Sequence, residues 1–163
     1  MITKKICIIG DFAVGKTSLI NRFVDNHFSE EYLTTVGVKL DTKELVTLDG
    51  TEIKLVIWDI AGADELTTAK RSYIDGASGY ILVYDLSRPK TLESARKIQA
   101  SVVEEIGLVP FVLVGNKNDL EITAPEPDTD LADKACHQLK TSALTGDGVA
   151  DTFQALAEAV ISG

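Results

Sequence analysis

Eight consecutive residues, Gly10-Asp11-Phe12-Ala13-Val14-Gly15-Lys16-Thr17, fit the spacing G-x-x-x-x-G-K-[ST]. An apolar run precedes them and a segment of helical period follows. That setting matters, because a glycine-bearing loop between a strand and a helix turns backbone N–H groups onto an anion, and the helix adds its positive dipole end. Ala13, Val14 and Gly15 would line such a cradle with backbone. Lys16 would bring a full charge to the β- and γ-phosphates, and the Thr17 hydroxyl can ligate Mg²⁺.

A phosphate cradle serves adenine and guanine nucleotides alike, so the base must be read elsewhere. Asn116-Lys117-Asn118-Asp119 follows a second short apolar run. A carboxylate at Asp119 can accept from the N1–H and the exocyclic amino group of guanine. Adenine has no such donor pair on that edge and would leave the carboxylate unpaired, a large penalty in a closed site. Asn116 and the stem of Lys117 would shape the remaining pocket. Thr141-Ser142-Ala143 lies before the last helical segment, where the Ala143 N–H can meet the guanine O6.

These residues need a scaffold that brings distant loops together. Short apolar runs alternate with helical periods, the pattern of a parallel sheet covered by helices. Strands are predicted at 5–9, 38–48, 51–59, 80–84 and 111–114, and helices at 16–24, 88–103, 148–161 and, briefly, around Asp133. Asp49-Gly50 is a hairpin signal, so the second and third of these strands pair antiparallel at one edge. At 163 residues the chain reads as one domain, able to bury roughly two-thirds of its unfolded surface.

Composition narrows the function further. Apolar residues are 45% and charged residues 25%, with a net charge of −9. Such a balance disfavours binding to nucleic acid or to an anionic membrane, which reward clustered Lys and Arg. Cys7 and Cys136 lack metal-type spacing, and Cys7 in its apolar run reads as a buried free thiol. No leader, membrane span or prenylation cysteine is found, so a cytoplasmic protein without a direct membrane anchor is expected.

With these motifs in this order, the chain resembles the small GTPases of the Ras superfamily over nearly its whole length. The other two family motifs are Thr35 within Tyr32-Leu33-Thr34-Thr35-Val36-Gly37, and Asp59-Ile60-Ala61-Gly62. Trp58 before Asp59, with Thr35-Val36-Gly37-Val38, is more similar to the Rab branch than to Ras proper. The resemblance implies an α/β P-loop NTPase fold in three layers: a six-stranded, mostly parallel sheet with one antiparallel edge strand, and about five helices. It implies GTP or GDP bound with Mg²⁺, the metal held by Thr17, by Thr35 when a γ-phosphate is present, and by Asp59 through water. It adds Ser18, Phe28, Gly62, Ser142 and Leu144 to the nucleotide-binding set, with Gly62 offering its N–H to the γ-phosphate. Phe28 has two readings, an edge-on partner of guanine or a core aromatic anchoring its loop. Trp58 reads as core or partner-facing. The loops around Thr35 and Gly62 would be switches facing effectors, an exchange factor and an activating protein, in a monomer.

Two positions depart from the family. Among the residues expected at the reaction (Lys16, Thr35, Gly62 and Ala63), Ala63 stands where the family has a glutamine that orients the attacking water. Phe12 stands where a small residue is common, on the route of an activator's arginine. Slow GTP hydrolysis is therefore expected, the alternative being a non-hydrolysing, permanently GTP-bound scaffold. Asp64 and Glu65 read as a solvated acidic start to a helix rather than as water-positioning groups. Together with Glu30, Glu31 and Asp41 they suggest a basic partner surface.

Overall fold

Residues 6–9 can be apolar without interruption because both faces of their strand are covered. In the computed structural model, which describes residues 1–24, 32–33, 38–63 and 67–162, strand β1 (Ile2–Gly10) sends Ile6 and Ile8 to one face of the sheet and Cys7 and Ile9 to the other. The remaining elements follow in order: α1 (Lys16–Val24), β2 (Tyr32–Leu33), β3 (Lys39–Val46), β4 (Glu52–Asp59), α2 (Thr68–Ile74), β5 (Gly79–Asp85), α3 (Lys90–Ile106), β6 (Phe111–Asn116), α4 (Thr129–Lys134), β7 (His137–Lys140) and α5 (Val149–Ser162).

The sheet order is β2-β3-β4-β1-β5-β6-β7. β4, β1, β5, β6 and β7 run parallel, and β3 is antiparallel to β4. Among the described residues, the six strands of four or more residues and the five helices match the expected architecture. The two-residue β2 lies outside β3, so the antiparallel strand is not quite the edge. The hairpin between β3 and β4 turns where expected, with Gly50 at φ 87° and its N–H on the Thr47 carbonyl, 3.0 Å away.

Two cores result. One packs α1 and α5 against the sheet, where Phe23 and Phe153 stack with centroids 4.0 Å apart. The other lies under α2 and α3, where Tyr80 stacks on Phe111 at 4.9 Å. Cys7 is a free thiol in the second core, and burial pushes its pKa up to about 12. Trp58 is half-buried against the same core with the Lys5 ammonium 3.7 Å over its ring. Among the described residues, no helix is long and apolar enough to cross a membrane.

The topology is what gathers the site. Sheet order reverses at β1, with β4 on one side and β5 on the other, which leaves a crevice beyond the carboxyl ends of the strands. The loops after β1, β4, β5, β6 and β7 all open there.

Candidate functional site

The loop after β1 has the curvature of a cradle. Gly15 has φ 100°, and a side chain on it would collide with the Asn116 amide. The Lys16 ammonium is nearly buried and donates to the carbonyls of Asp11 (3.1 Å) and Gly10 (3.4 Å). Burial lowers its pKa, Asp59 opposes that, and the nearby Lys70 adds to the lowering. The Thr17 hydroxyl donates to Asp59 Oδ2 at 2.5 Å. Burial raises the Asp59 pKa, partly offset by Thr17, Lys16 and Lys39.

A cavity of about 580 Å³ is lined by Lys16, Thr17, Ser18, Asp59, Gly62 and neighbours. It adjoins a second of about 410 Å³, lined by Asn116, Lys117, Asp119, Ala143 and Leu144 among others. Gly15, Ser18 and Lys117 border both, so the two are halves of one cleft.

Asn116 ties the halves together. Its amide donates to the Val14 carbonyl at 2.9 Å and accepts from the Thr141 hydroxyl at 2.9 Å, all of it out of water. Asn116→Ala should therefore cost about 2–3 kcal/mol of stability, for two buried hydrogen bonds and their orphaned partners. Urea unfolding of nucleotide-free protein measures this, with the more exposed Asn118→Ala, which loses a bond to Asp147, as the milder comparison.

Ala13 (φ 56°) and Lys117 (φ 69°) are the non-glycine residues with left-handed backbone among those described. Each costs of order 1 kcal/mol, and they hold each other: the Lys117 ammonium donates to the Ala13 carbonyl at 2.8 Å. The same ammonium pairs with Asp85 Oδ2 at 2.9 Å. Burial pushes the Asp85 carboxyl up, but the Ser87 hydroxyl and N–H with Lys117 outweigh it and hold its pKa low. In the base half, the Ser142 hydroxyl donates to Asp119 Oδ1 at 2.7 Å and accepts the Thr145 N–H at 3.1 Å.

Of the residues expected at the site, Ala13, Gly15 to Ser18, Asp59, Gly62, Asn116, Lys117, Asp119, Ala143 and Leu144 line the two cavities, whereas Val14 and Ser142 are buried behind them, bonded to Asn116 and Asp119. Ala63 is buried with its N–H on the Gly10 carbonyl at 3.2 Å. Phe12 is 60% exposed, its carbonyl bonded to Arg88 at 2.8 Å. Phe28, Thr35, Asp64 and Glu65 lie outside the described residues.

Sequence reasoning passed over four contributors. Asp11 is buried, accepting from the Ser94 hydroxyl at 2.6 Å, which fixes the loop to α3. Asp85 ends a wholly apolar strand, a position that could have drawn attention. Thr141 donates its hydroxyl to Asn116 from a loop with no local signal of that bond. Lys70 Nζ donates to the Gly62 carbonyl at 3.2 Å, a contact no local pattern announces.

Comparison with known proteins agrees with this geometry. The model of the Ras family matches residues 5–162. The chain is 34% identical over 163 residues to the Ras-related protein Rab-13 of Bos taurus, covering 96% of this chain and 79% of that one. It is 34% identical over 160 residues to the Ras-related protein SEC4 of Saccharomyces cerevisiae, covering 96% and 74%. The Ras-related protein Rab-1 of Theileria parva is 35% identical over 162 residues, covering 96% and 73%. A family match along nearly the whole chain, and relatives aligned over the same length, lead to one conclusion: the chain belongs to the Ras family, among proteins of Rab type.

Proposed function

We propose that this small GTP-binding protein is a switch that holds GTP or GDP with Mg²⁺ across residues 1–163 and hydrolyses GTP slowly. The observation that carries the reading is the continuity of the cleft. The cavity holding Lys16, Thr17 and Asp59 runs past Gly15 and Lys117 into the one holding Asn116, Asp119 and Ala143. A nucleotide has this shape, with phosphates at one end and a base at the other.

The residues present fit Mg²⁺. Thr17 and Asp59 set two oxygen groups 2.5 Å apart beside the phosphate cavity. Mg²⁺ takes few protein ligands, and phosphate oxygens and water complete its shell. When bound, the ion would neutralise charge on the β- and γ-oxygens. Thr17 would ligate it and Asp59 would hold it through water. Lys16 would leave its carbonyls for the phosphates, and Asp119 would bind the guanine edge.

Slow hydrolysis rests on Ala63. Its methyl cannot orient water, and the residue is buried. The same burial favours a second reading, a GTP-loaded scaffold that does not turn over. Switching would be read by effectors, an exchange factor and an activating protein at the loops around Thr35 and Gly62. A cytoplasmic monomer that binds no nucleic acid belongs to the same proposal.

The purified protein should carry about one equivalent of guanine nucleotide, and single-turnover assays should show hydrolysis below the roughly 10⁻⁴ s⁻¹ of unassisted Ras. Thr17→Asn should weaken GTP at least several-fold more than GDP, since the metal bridges the β- and γ-oxygens. Equal loss of both, or ATP and GTP bound alike, would refute the assignment. No turnover at all, with activator or without, would select the scaffold.

A further inference from the structure

We infer that Lys70 is a second phosphate-binding cation, reaching from α2 to the terminal phosphate of a nucleoside triphosphate and making the site prefer triphosphate over diphosphate. The inference rests on the nucleotide-binding reading above and adds a residue that reading does not use.

Local structure points Lys70 at the cleft. Thr67 caps α2, its hydroxyl accepting the Lys70 N–H at 3.3 Å, so Lys70 sits in the first turn. Arg71, one residue on, is turned the other way and pairs with Glu104 of α3 at 3.1 Å. Arg71 thus pins α2 to α3 while Lys70 faces the phosphate loop. There its ammonium donates to the Gly62 carbonyl at 3.2 Å and lies 5.9 Å from the centre of the Phe12 ring.

This cation has no acid partner among the described residues, in a chain with 25 acidic and 16 basic residues. It is half-buried, so it has exchanged part of its hydration for one neutral carbonyl and an aromatic face. Lys16 approaches the same peptide: its ammonium is 3.0 Å from where a side chain on Gly62 would begin. Lys16 too is bonded to backbone carbonyls rather than to a carboxylate. Two ammonium groups converging on one glycine repel each other. An anion with more than one charge relieves it, because each lysine can exchange a weak carbonyl contact for a charge-assisted bond.

The phosphate that a diphosphate lacks is the one expected at Gly62. Lys70 would therefore act on GTP and not on GDP, and it would tie α2 to the nucleotide where the methyl of Ala63 cannot. Phe12 gains a role as well. Its ring stands beside the Lys70 ammonium, limiting the water that would compete for it.

The test uses Lys70→Met, which keeps the alkyl stem against Phe12, and Lys70→Arg, which keeps the charge. Nucleotide-free protein is titrated with fluorescent GDP and with a non-hydrolysable GTP analogue in Mg²⁺ buffer, and thermal unfolding is followed alongside. Lys70→Met should lose about tenfold in affinity for the triphosphate, as for one charge-assisted hydrogen bond, with GDP affinity within twofold. Lys70→Arg should recover most of the loss. Equal loss for both nucleotides, or no loss for either, overturns the inference and leaves the nucleotide site standing. Failure of the unmodified chain to bind either nucleotide removes the site itself, and the inference with it.

Discussion

Asp119→Asn is expected to move base preference from guanine towards xanthine, while Asp119→Ala should lose guanine affinity by 100-fold or more. The second figure follows from two hydrogen bonds to a charged acceptor, worth about 3 kcal/mol together. The first follows from the way Asp119 is held. Ser142 is fully buried and accepts the Thr145 N–H, so its hydroxyl proton is committed to Asp119 Oδ1 at 2.7 Å. An asparagine at 119 would satisfy that donor only with its carbonyl oxygen. Its amino group would then replace Oδ2, presenting a donor where guanine needs an acceptor and where the C2 carbonyl of xanthine can pair. Competition binding with GDP, XDP and ADP measures both effects. An Asp119→Asn variant that kept its preference for GDP would show that the carboxylate does not read the base.

The largest expected effect belongs to the two positions that depart from the family. Phe12→Gly with Ala63→Gln should make the protein sensitive to an activating protein of a Rab relative, to which the unmodified chain is expected to respond weakly. An inserted arginine accelerates this class of reaction by about 10³ to 10⁵, so partial recovery would be plain. Ala63→Gln alone should raise the intrinsic single-turnover rate several-fold at unchanged GTP affinity. Ala63 is buried with its N–H on Gly10, so the longer side chain must turn outward, and the Phe12 backbone already lies against the preceding Gly62. That is the reason to change both. Fast hydrolysis by the unmodified chain, lost on Asp64→Ala, would instead make Asp64 the water-positioning residue.

The candidate site was legible because its motifs are local. The phosphate loop needs glycine at fixed spacing, a lysine and a hydroxyl on consecutive residues, and a strand before and a helix after, all within about twenty residues. The central strands were legible for a related reason: a strand covered on both faces must be apolar throughout, as residues 80–84 and 111–114 are. β7 escaped notice because it is an edge strand. His137-Gln138-Leu139-Lys140 is mostly exposed and buries no apolar run, so nothing in its composition marks it.

Sequence alone determined which motifs are present, in which order, and that an alanine stands at position 63. Which residues meet across the sheet was decided only by the tertiary structure. Register places Asp85 beside Asn116 and so gives Lys117 its carboxylate. The loop after β1 is fixed by Ser94 through Asp11, 83 positions away. Lys70 and Arg71 are adjacent cations with the same local propensities, yet one faces Gly62 and the other Glu104. Spacing along a chain encodes a turn of helix or a strand's two faces, whereas side-chain partners depend on which surfaces the packed layers bring into contact.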